Sequence, residues 1–284
     1  MIDDYNLRMV PILAPCGFPS SLALPNVDSA FFVPAIQALQ RELGLKDDGQ
    51  CGPRTIRAIA AREYSRCMAD YPEAGWVIIG PRVVMTGVKT RTYLDPGFGW
   101  LGKTKSSPRT KALRLGVIHY DVTNSATQTH RVLLKRGLST HFMIDSDGVI
   151  YQCHDPLTEV CIHAGSKINK LALGLDLNSP ALRKYERLQK GQAPRDELTT
   201  SVHGRELELL DYWPEQITAL KALMAALKEG AHLPLDCPRD DEGAPILGVY
   251  GARQKHHGWI GHYHITASKI DPAPLDWDVV CSRS

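Results

Sequence analysis

No Cys-x-x-Cys pair occurs among the seven cysteines of this 284-residue chain, and their number is odd. Cys16, Cys51, Cys67, Cys153, Cys161, Cys237 and Cys281 therefore fit neither a disulfide framework nor a cysteine zinc finger. They read as reduced thiols in a chain made in a reducing compartment. A charge excess is also missing. Lys plus Arg is 33 against 31 Asp plus Glu, a net charge of +2. So small an excess argues against a charge-driven nucleic-acid binder, which needs cations to displace phosphate counterions. No apolar run approaches the roughly 20 residues of a bilayer span. The stretch from Met9 to Pro15 is short and broken by Pro11. Met1-Ile2-Asp3-Asp4 is acidic where a signal peptide starts basic, so neither membrane insertion nor a standard export signal is expected. At 43% hydrophobic and 23% charged residues, the chain is neither disordered nor collagen-like, and its length suits two domains with a real core.

What is present begins with a helical pattern over residues 28–67. Ile36, Leu39 and Leu43 recur on one helix face, and Gly44 stands where a helix end takes a left-handed residue. Asp47-Asp48-Gly49 is a turn. Gly52-Pro53 opens a second helix, whose apolar face continues through Ile56, Ile59 and Ala60. The ordered set Leu39-Gln40, Leu43-Gly44-Leu45, Asp48-Gly49, Gly52-Pro53 and Thr55 resembles the small peptidoglycan-binding domain found beside cell-wall hydrolases. The spacing shows a helical pair; only the resemblance implies what it binds. In residues 68–112, Trp76 to Ile79 and Arg82 to Met85 look like short strands around Gly80-Pro81. Asp95 to Gly99 and Lys103 to Lys111 look like loop.

Strand and helix signals then alternate. Leu113 to Tyr120 is a buried-strand candidate. His141 to Asp145 and Val149 to Tyr151, around Ser146-Asp147-Gly148, read as a hairpin, and Leu171 to Leu177 as another strand. Pro214 to Leu227 is a helix with the stripe Ile217, Leu220, Leu223, Met224 and Leu227, ended by Gly230. Gln189 to Pro194 and Arg195 to Arg205, within the charged stretch between Asn178 and Trp213, read as loop. Strands mixed with a long helix predict an α/β or α+β domain.

In order, the segments VIHY, STHFMIDSDGVIYQ, IHAGS, LGLDLN, PEQITALKAL and GHYHITASKIDPAPLDW resemble the zinc-dependent N-acetylmuramoyl-L-alanine amidases of the type-2 family, which includes relatives of phage lysis amidases and of peptidoglycan recognition proteins. The resemblance covers roughly residues 112–278, and G-H followed by K-x-D-P is its most specific part. It implies an α/β fold with a mixed central β-sheet flanked by helices, behind a small N-terminal helical domain. The expected division is 1–70 for the helical domain, 71–111 for linker and entry, and 112–284 for the amidase.

The same resemblance implies the site. The zinc ligands would be His119, His262 and Asp271. Two imidazoles and a carboxylate leave a fourth position open, as catalytic zinc requires. Asp176 would be the general base, standing where the family has Glu and retracted by a methylene, about 1.5 Å. Lys269 would steady the oxyanion. His163 and Asn178 would contact substrate, with simple packing the other reading for His163. His262 and Asp271 are nine positions apart, one fewer than is common in carboxylate-ligand relatives. His264 is a rival ligand, since on an extended segment it would share a face with His262. His141, His154, His256 and His257 read as structural or surface groups.

The expected partner is peptidoglycan, with no nucleic acid, and a monomer is favoured. The expected action is endolysin-like hydrolysis of the bond between N-acetylmuramic acid and L-alanine, on the wall after release or non-classical export. The alternatives are a non-catalytic wall-recognition protein, a secreted toxin, or an intracellular recycling amidase.

Overall fold

The structure, a computed structural model, describes residues 29–188 and 194–281. Among the described residues two units emerge: residues 29–72 with 78–84, and residues 73–77 with 85–188 and 194–281.

The first unit carries helices α1 (Ser29–Glu42) and α2 (Pro53–Asp70). The expected apolar face forms its core: Ile36, Cys51, Ile56 and Ile59 are buried together, with Leu39 and Leu43 packed on them. Gly44 and Gly49 both take positive φ, 67° and 71°. Between the helices the loop is organised by one buried amide. Gln40 Nε2 donates to Asp48 Oδ1 at 2.9 Å and to the Gln50 carbonyl at 3.0 Å, while its Oε1 accepts from Gly49 N–H at 2.9 Å. Buried polar groups need such partners, which gives the Gln40 and Asp48-Gly49 positions of the sequence pattern a folding role. Strands β1 (Trp76–Ile79) and β2 (Arg82–Met85) form a two-stranded ribbon.

The second unit is organised by a six-stranded mixed sheet. Its strands are β3 (Thr90–Thr92), β5 (Leu115–Asp121), β6 (Phe142–Ile144), β7 (Ile150–Gln152), β9 (Ala172–Asn178) and β12 (Gly258–Gly261), in the order β12-β5-β9-β6-β7-β3. Strands β12, β5, β9 and β6 run parallel; β7 returns antiparallel to β6, as the hairpin reading expected. Parallel pairing buries both faces, and every residue of β9 is buried. Leu115, Val117, Ala172 and Ile260 share one core cluster with Ala164 and Ile168. The alternation of side chains places His119, Asp121, Asp176 and Asn178 further along this same face.

Shorter elements complete the unit: β4 (Ser107–Pro108) pairs with β8 (Glu159–Val160), and β10 (Glu197–Val202) with β11 (Arg205–Leu210). Helix α3 (Ala126–Arg136) starts at an Ser125 cap and ends at left-handed Gly137. Helix α4 (Ser166–Asn169) precedes β9. Helix α5 (Pro214–Ala231) buries Leu220, Leu223, Met224 and Leu227 of the predicted stripe and leaves its first member, Ile217, half-buried. Its Gln216 amide donates to the Ile144 and Asn178 carbonyls, tying the helix to the carboxyl ends of β6 and β9. Helix α6 (Trp277–Val280) lies near the end of the described chain.

Four expectations change; the first is that Lys103 to Lys111 is not all loop, since β4 lies there and pairs with β8. Residues 195–205 are not loop: β10 and most of the turn to β11 lie there. The central residues of β10, Thr199, Thr200 and Ser201, are polar and give no apolar alternation there, and the alternation of Leu207 and Leu209 with Glu206 and Glu208 begins only in β11. Helix α5 runs past Gly230, and His232 takes the left-handed end position at φ 53°. Finally, β3 lies inside the segment expected as linker and entry, and pairs with β7 in the main sheet.

Gly116 faces Trp259 across the β5–β12 pair, where an added Cβ would lie 2.3 Å from the indole ring. The ring is fully buried and has nowhere to retreat. Gly116→Ala is expected to destabilise the protein by about 1–3 kcal/mol, read as a lower urea midpoint by far-UV circular dichroism; an unchanged midpoint would refute this packing.

Candidate metal centre

The site assembles at the carboxyl ends of parallel strands, where open α/β sheets bind ligands. His119 is the fifth residue of β5 and pairs in register with Asp176 of β9. Gly261, the last residue of β12, pairs with Ile118, so His262 emerges beside His119. Asp271 is returned to the same place by a tight loop. Tyr263 N–H donates to the Asp271 carbonyl at 3.0 Å, and Lys269 N–H to the Thr266 carbonyl at 3.2 Å. A Cβ at Gly261 would lie 2.5 Å from Pro272 Cδ. Glycine before His262 and proline after Asp271 thus allow the two segments to close on each other, a physical reason for the G-H and D-P halves of the motif.

Three donor atoms converge. His119 Nδ1 lies 3.1 Å from His262 Nδ1 and 3.1 Å from Asp271 Oδ2, and His262 Nδ1 lies 3.0 Å from the same oxygen. Among the described residues this is the group able to hold a metal ion. Ligands about 2.0–2.2 Å from a tetrahedral zinc stand roughly 3.3–3.5 Å apart, so the triangle needs to open only slightly. Protons serve it less well: an N–H from each ring can reach the carboxylate, but nothing then relieves the contact between the two Nδ1 atoms. A cation satisfies all three, and the residues fit Zn2+.

Electrostatics follow the geometry. Burial raises the Asp271 carboxyl, but the two histidine contacts outweigh it and hold the group well below the usual carboxylate range. Burial, with the Asp271 charge, pushes Asp176 up, against opposing pulls from His119, a Thr140 hydrogen bond and His262. Lys269 is exposed on the return loop, and its charge reaches both His119 and His262.

His163 stands behind His119, with Nδ1 3.1 Å from His119 Nε2. With His119 Nδ1 turned to the metal position, its Nε2–H donates to His163, the outer contact that fixes a ligand's tautomer. Gly174 makes room, since a Cβ there would lie 2.7 Å from the His163 ring. Burial and the neighbouring histidines hold His163 well below its usual pKa. Its Nε2 is buried with no hydrogen-bond partner.

Asn178 is placed differently from the expectation that it contacts substrate. It is 1% exposed, and its amide donates to Asp121 Oδ2 and Thr129 Oγ1. It is a strut joining β9, β5 and α3. The carboxylate it serves, Asp121, is pushed up to about 7 by burial and by Asp176, against hydrogen bonds from Thr129 and Thr123. Asp121, Thr129 and Thr140 were missed by sequence reasoning; the two-residue spacing of Asp121 from His119 was the available signal. His264 is excluded as the rival ligand because both its nitrogens are used: Nδ1 accepts from Gly261 N–H at 2.8 Å and Nε2 donates to the Ile246 carbonyl at 2.6 Å. The His262–His264 segment is a 3-10 turn, not the extended stretch that would put both rings on one face. His141 and His154 are structural, bonded to Gly174, Glu159 and Thr104.

Fold and site together define an α/β protein whose two histidines and one carboxylate form a cluster that could hold a metal ion. Comparison with known proteins carries this further. Residues 109–274 match the N-acetylmuramoyl-L-alanine amidase family, and the chain belongs to that family. A curated Rickettsia conorii protein named as an N-acetylmuramoyl-L-alanine amidase is 31% identical over 83 residues, 27% of this chain and 31% of its own length. The chain thus matches about a third of that relative. Solved structures with similarity include the amidase LysC of Clostridium intestinale, at 17% identity over 68% of this chain and 94% of its own, TM-score 0.41. The endolysin of Thermus scotoductus bacteriophage Ph2119 shows 14% identity over 68% and 96%, TM-score 0.39. Drosophila PGRP-LB shows 15% identity over 63% and 84%, TM-score 0.36.

Asp271→Ala and His262→Ala are each expected to weaken Zn2+ binding by at least about 100-fold, measured by competition with a chromogenic chelator; retention of stoichiometric zinc by either variant would refute the site. Protonation gives a second expectation. Burial lowers His264 to about 4, so between about pH 6.5 and 4 the unfolded chain binds the extra proton and this group's contribution to stability falls as pH falls. His264→Gln keeps a donor but does not titrate. The wild type is therefore expected to lose urea stability relative to this variant as pH drops through that window, and parallel pH profiles would count against it.

Proposed function

We propose that the chain is a zinc-dependent peptidoglycan hydrolase that cleaves the amide between N-acetylmuramic acid and the L-alanine of the stem peptide. Family membership supports the bond class, and the convergence of His119, His262 and Asp271 is the observation that carries the chemistry. His119, His262 and Asp271 would hold a Zn2+ ion, which when bound would supply the Lewis acidity for hydrolysis near neutral pH. Asp176, on the strand beside His119, takes a proton from the attacking water and returns it to the leaving amine. Its buried setting keeps it a stronger base than a solvated aspartate. Lys269, exposed at the mouth of the site, brings its ammonium to the oxyanion of the tetrahedral intermediate. His163 holds the His119 ring and offers its free Nε2 to the substrate.

The third ligand favours an enzyme over a recognition protein that binds without cutting, because Asp271 completes the metal set. The N-terminal helical unit fits a peptidoglycan-binding role on its residue pattern, so we assign the chain to polymeric wall rather than to soluble fragments. An endolysin-like route to the wall, by release through a membrane lesion, follows from that pairing. A toxin moved by a secretion machine is the alternative. No helix among the described residues is long and apolar enough to cross a membrane.

Purified sacculi digested with zinc-loaded protein and analysed by mass spectrometry are expected to yield free stem peptides with an L-alanine amino terminus. Asp176→Asn is expected to lower kcat by about 10²–10⁴, and Lys269→Ala by about 10²–10³, both with zinc still bound. Sacculi that are bound without release of peptide would establish the recognition reading in place of the enzyme.

A further inference from the structure

The β10–β11 hairpin has no part in the chemistry above, yet it ends on the loop that carries it. Its base follows β9: Leu210 N–H donates to the Ala181 carbonyl and Asp211 N–H to the Asp196 carbonyl, both at 2.9 Å. Arg195, buried there, pairs with Glu186 at 2.8 Å and donates to the Asp211 and Pro180 carbonyls, also at 2.8 Å. Each strand has six residues, an arm of about 20 Å. At the tip, His203 N–H donates to the Leu247 carbonyl at 2.9 Å, and His203 Nε2–H to the Lys269 carbonyl at 2.9 Å. The arm therefore runs from the end of β9 to the turn after β12. Strand β5, which carries His119, lies between those two in the sheet.

His203 is also an unusual residue for its place. It and Gly204 form the two-residue turn with φ of 54° and 70°, positions that Asn, Asp or Gly ordinarily fill. A histidine held in this conformation points to a job for its ring. The ring stands edge-on to Tyr263 at 6.4 Å between centroids, so the tip meets both arms of the loop joining His262 to Asp271.

We propose that His203 is a positioning residue: by holding the Lys269 carbonyl, it ties the hairpin to the K-x-D-P turn and orders the backbone from which the Lys269 side chain acts on His119 and His262. The role in turnover rests on the amidase reading; the tether itself does not. Two variants separate the ring bond from the backbone. Asn accepts positive φ but is too short to place a donor at the Nε2 position, whereas Gln reaches it. With the zinc-loaded full chain on sacculi, His203→Asn is expected to lower kcat about fivefold to twentyfold, with KM and bound zinc unchanged. His203→Gln is expected to recover most of the loss. In parallel, limited trypsin digestion reads the order of the turn at the exposed Lys269–Ile270 bond, which is expected to be cut about tenfold faster in H203N and near the wild-type rate in H203Q. The proposal is overturned if H203N keeps the wild-type kcat, if its tryptic rate is unchanged, or if H203Q rescues neither. Because trypsin needs no turnover, a wild-type protein that releases no peptide overturns the amidase reading while proteolysis still decides the tether.

Discussion

Two imidazole nitrogens and one carboxylate oxygen stand about 3 Å apart at the end of the sheet, and the rest of the catalytic unit is arranged around that convergence. Lone pairs facing one another in a buried place are unfavourable without a cation. The polypeptide therefore holds them there with structure formed elsewhere. Register sets His119 beside Asp176, and the end of β12 sets His262 beside His119. The return loop, closed by the Tyr263 to Asp271 backbone hydrogen bond, delivers the carboxylate.

Close approach is the recurring device. Gly116 lets Trp259 lie flat across β5, Gly174 lets His163 reach the back of His119, and Gly261 lets Pro272 bring Asp271 in. In each case a methyl group would collide with a ring, and the rings are packed on other sides. These three glycines are thus parts of the site although none carries a functional group. Polar networks then lock the strands to the helices: Asn178 with Asp121 and Thr129, and Gln216 with the ends of β6 and β9.

The His119, His262 and Asp271 set was legible through the family resemblance, whose carrying segments are local: VIHY, G-H after a short apolar run, and K-x-D-P. The buried strands were legible as continuous apolar runs, and α5 as a 3.6-residue stripe. The β10–β11 hairpin was not, because the polar run Thr199-Thr200-Ser201 in β10 carries no apolar period and the short Glu-Leu-Glu-Leu alternation of β11 stands alone in a charged stretch. Asn178 was misplaced for a related reason. An Asn at a strand end reads as a substrate contact until the neighbouring strand is seen to carry the carboxylate that uses its amide.

The sequence by itself determined the family and the residue types at hand: the histidines and carboxylates that could hold a metal ion, the strand aspartate Asp176 and the lysine two positions before Asp271. Its order along the chain also determined the alternation of strands and helices, since periodicity is a short-range property. Only the tertiary structure decided which of the histidines meet. His264 lost its claim through bonds to Gly261 and Ile246, and His163 gained a place through its contact with His119. Those outcomes depend on strand register and on the path of a return loop, which bring together residues up to 152 positions apart, and no local pattern encodes a distance of that kind.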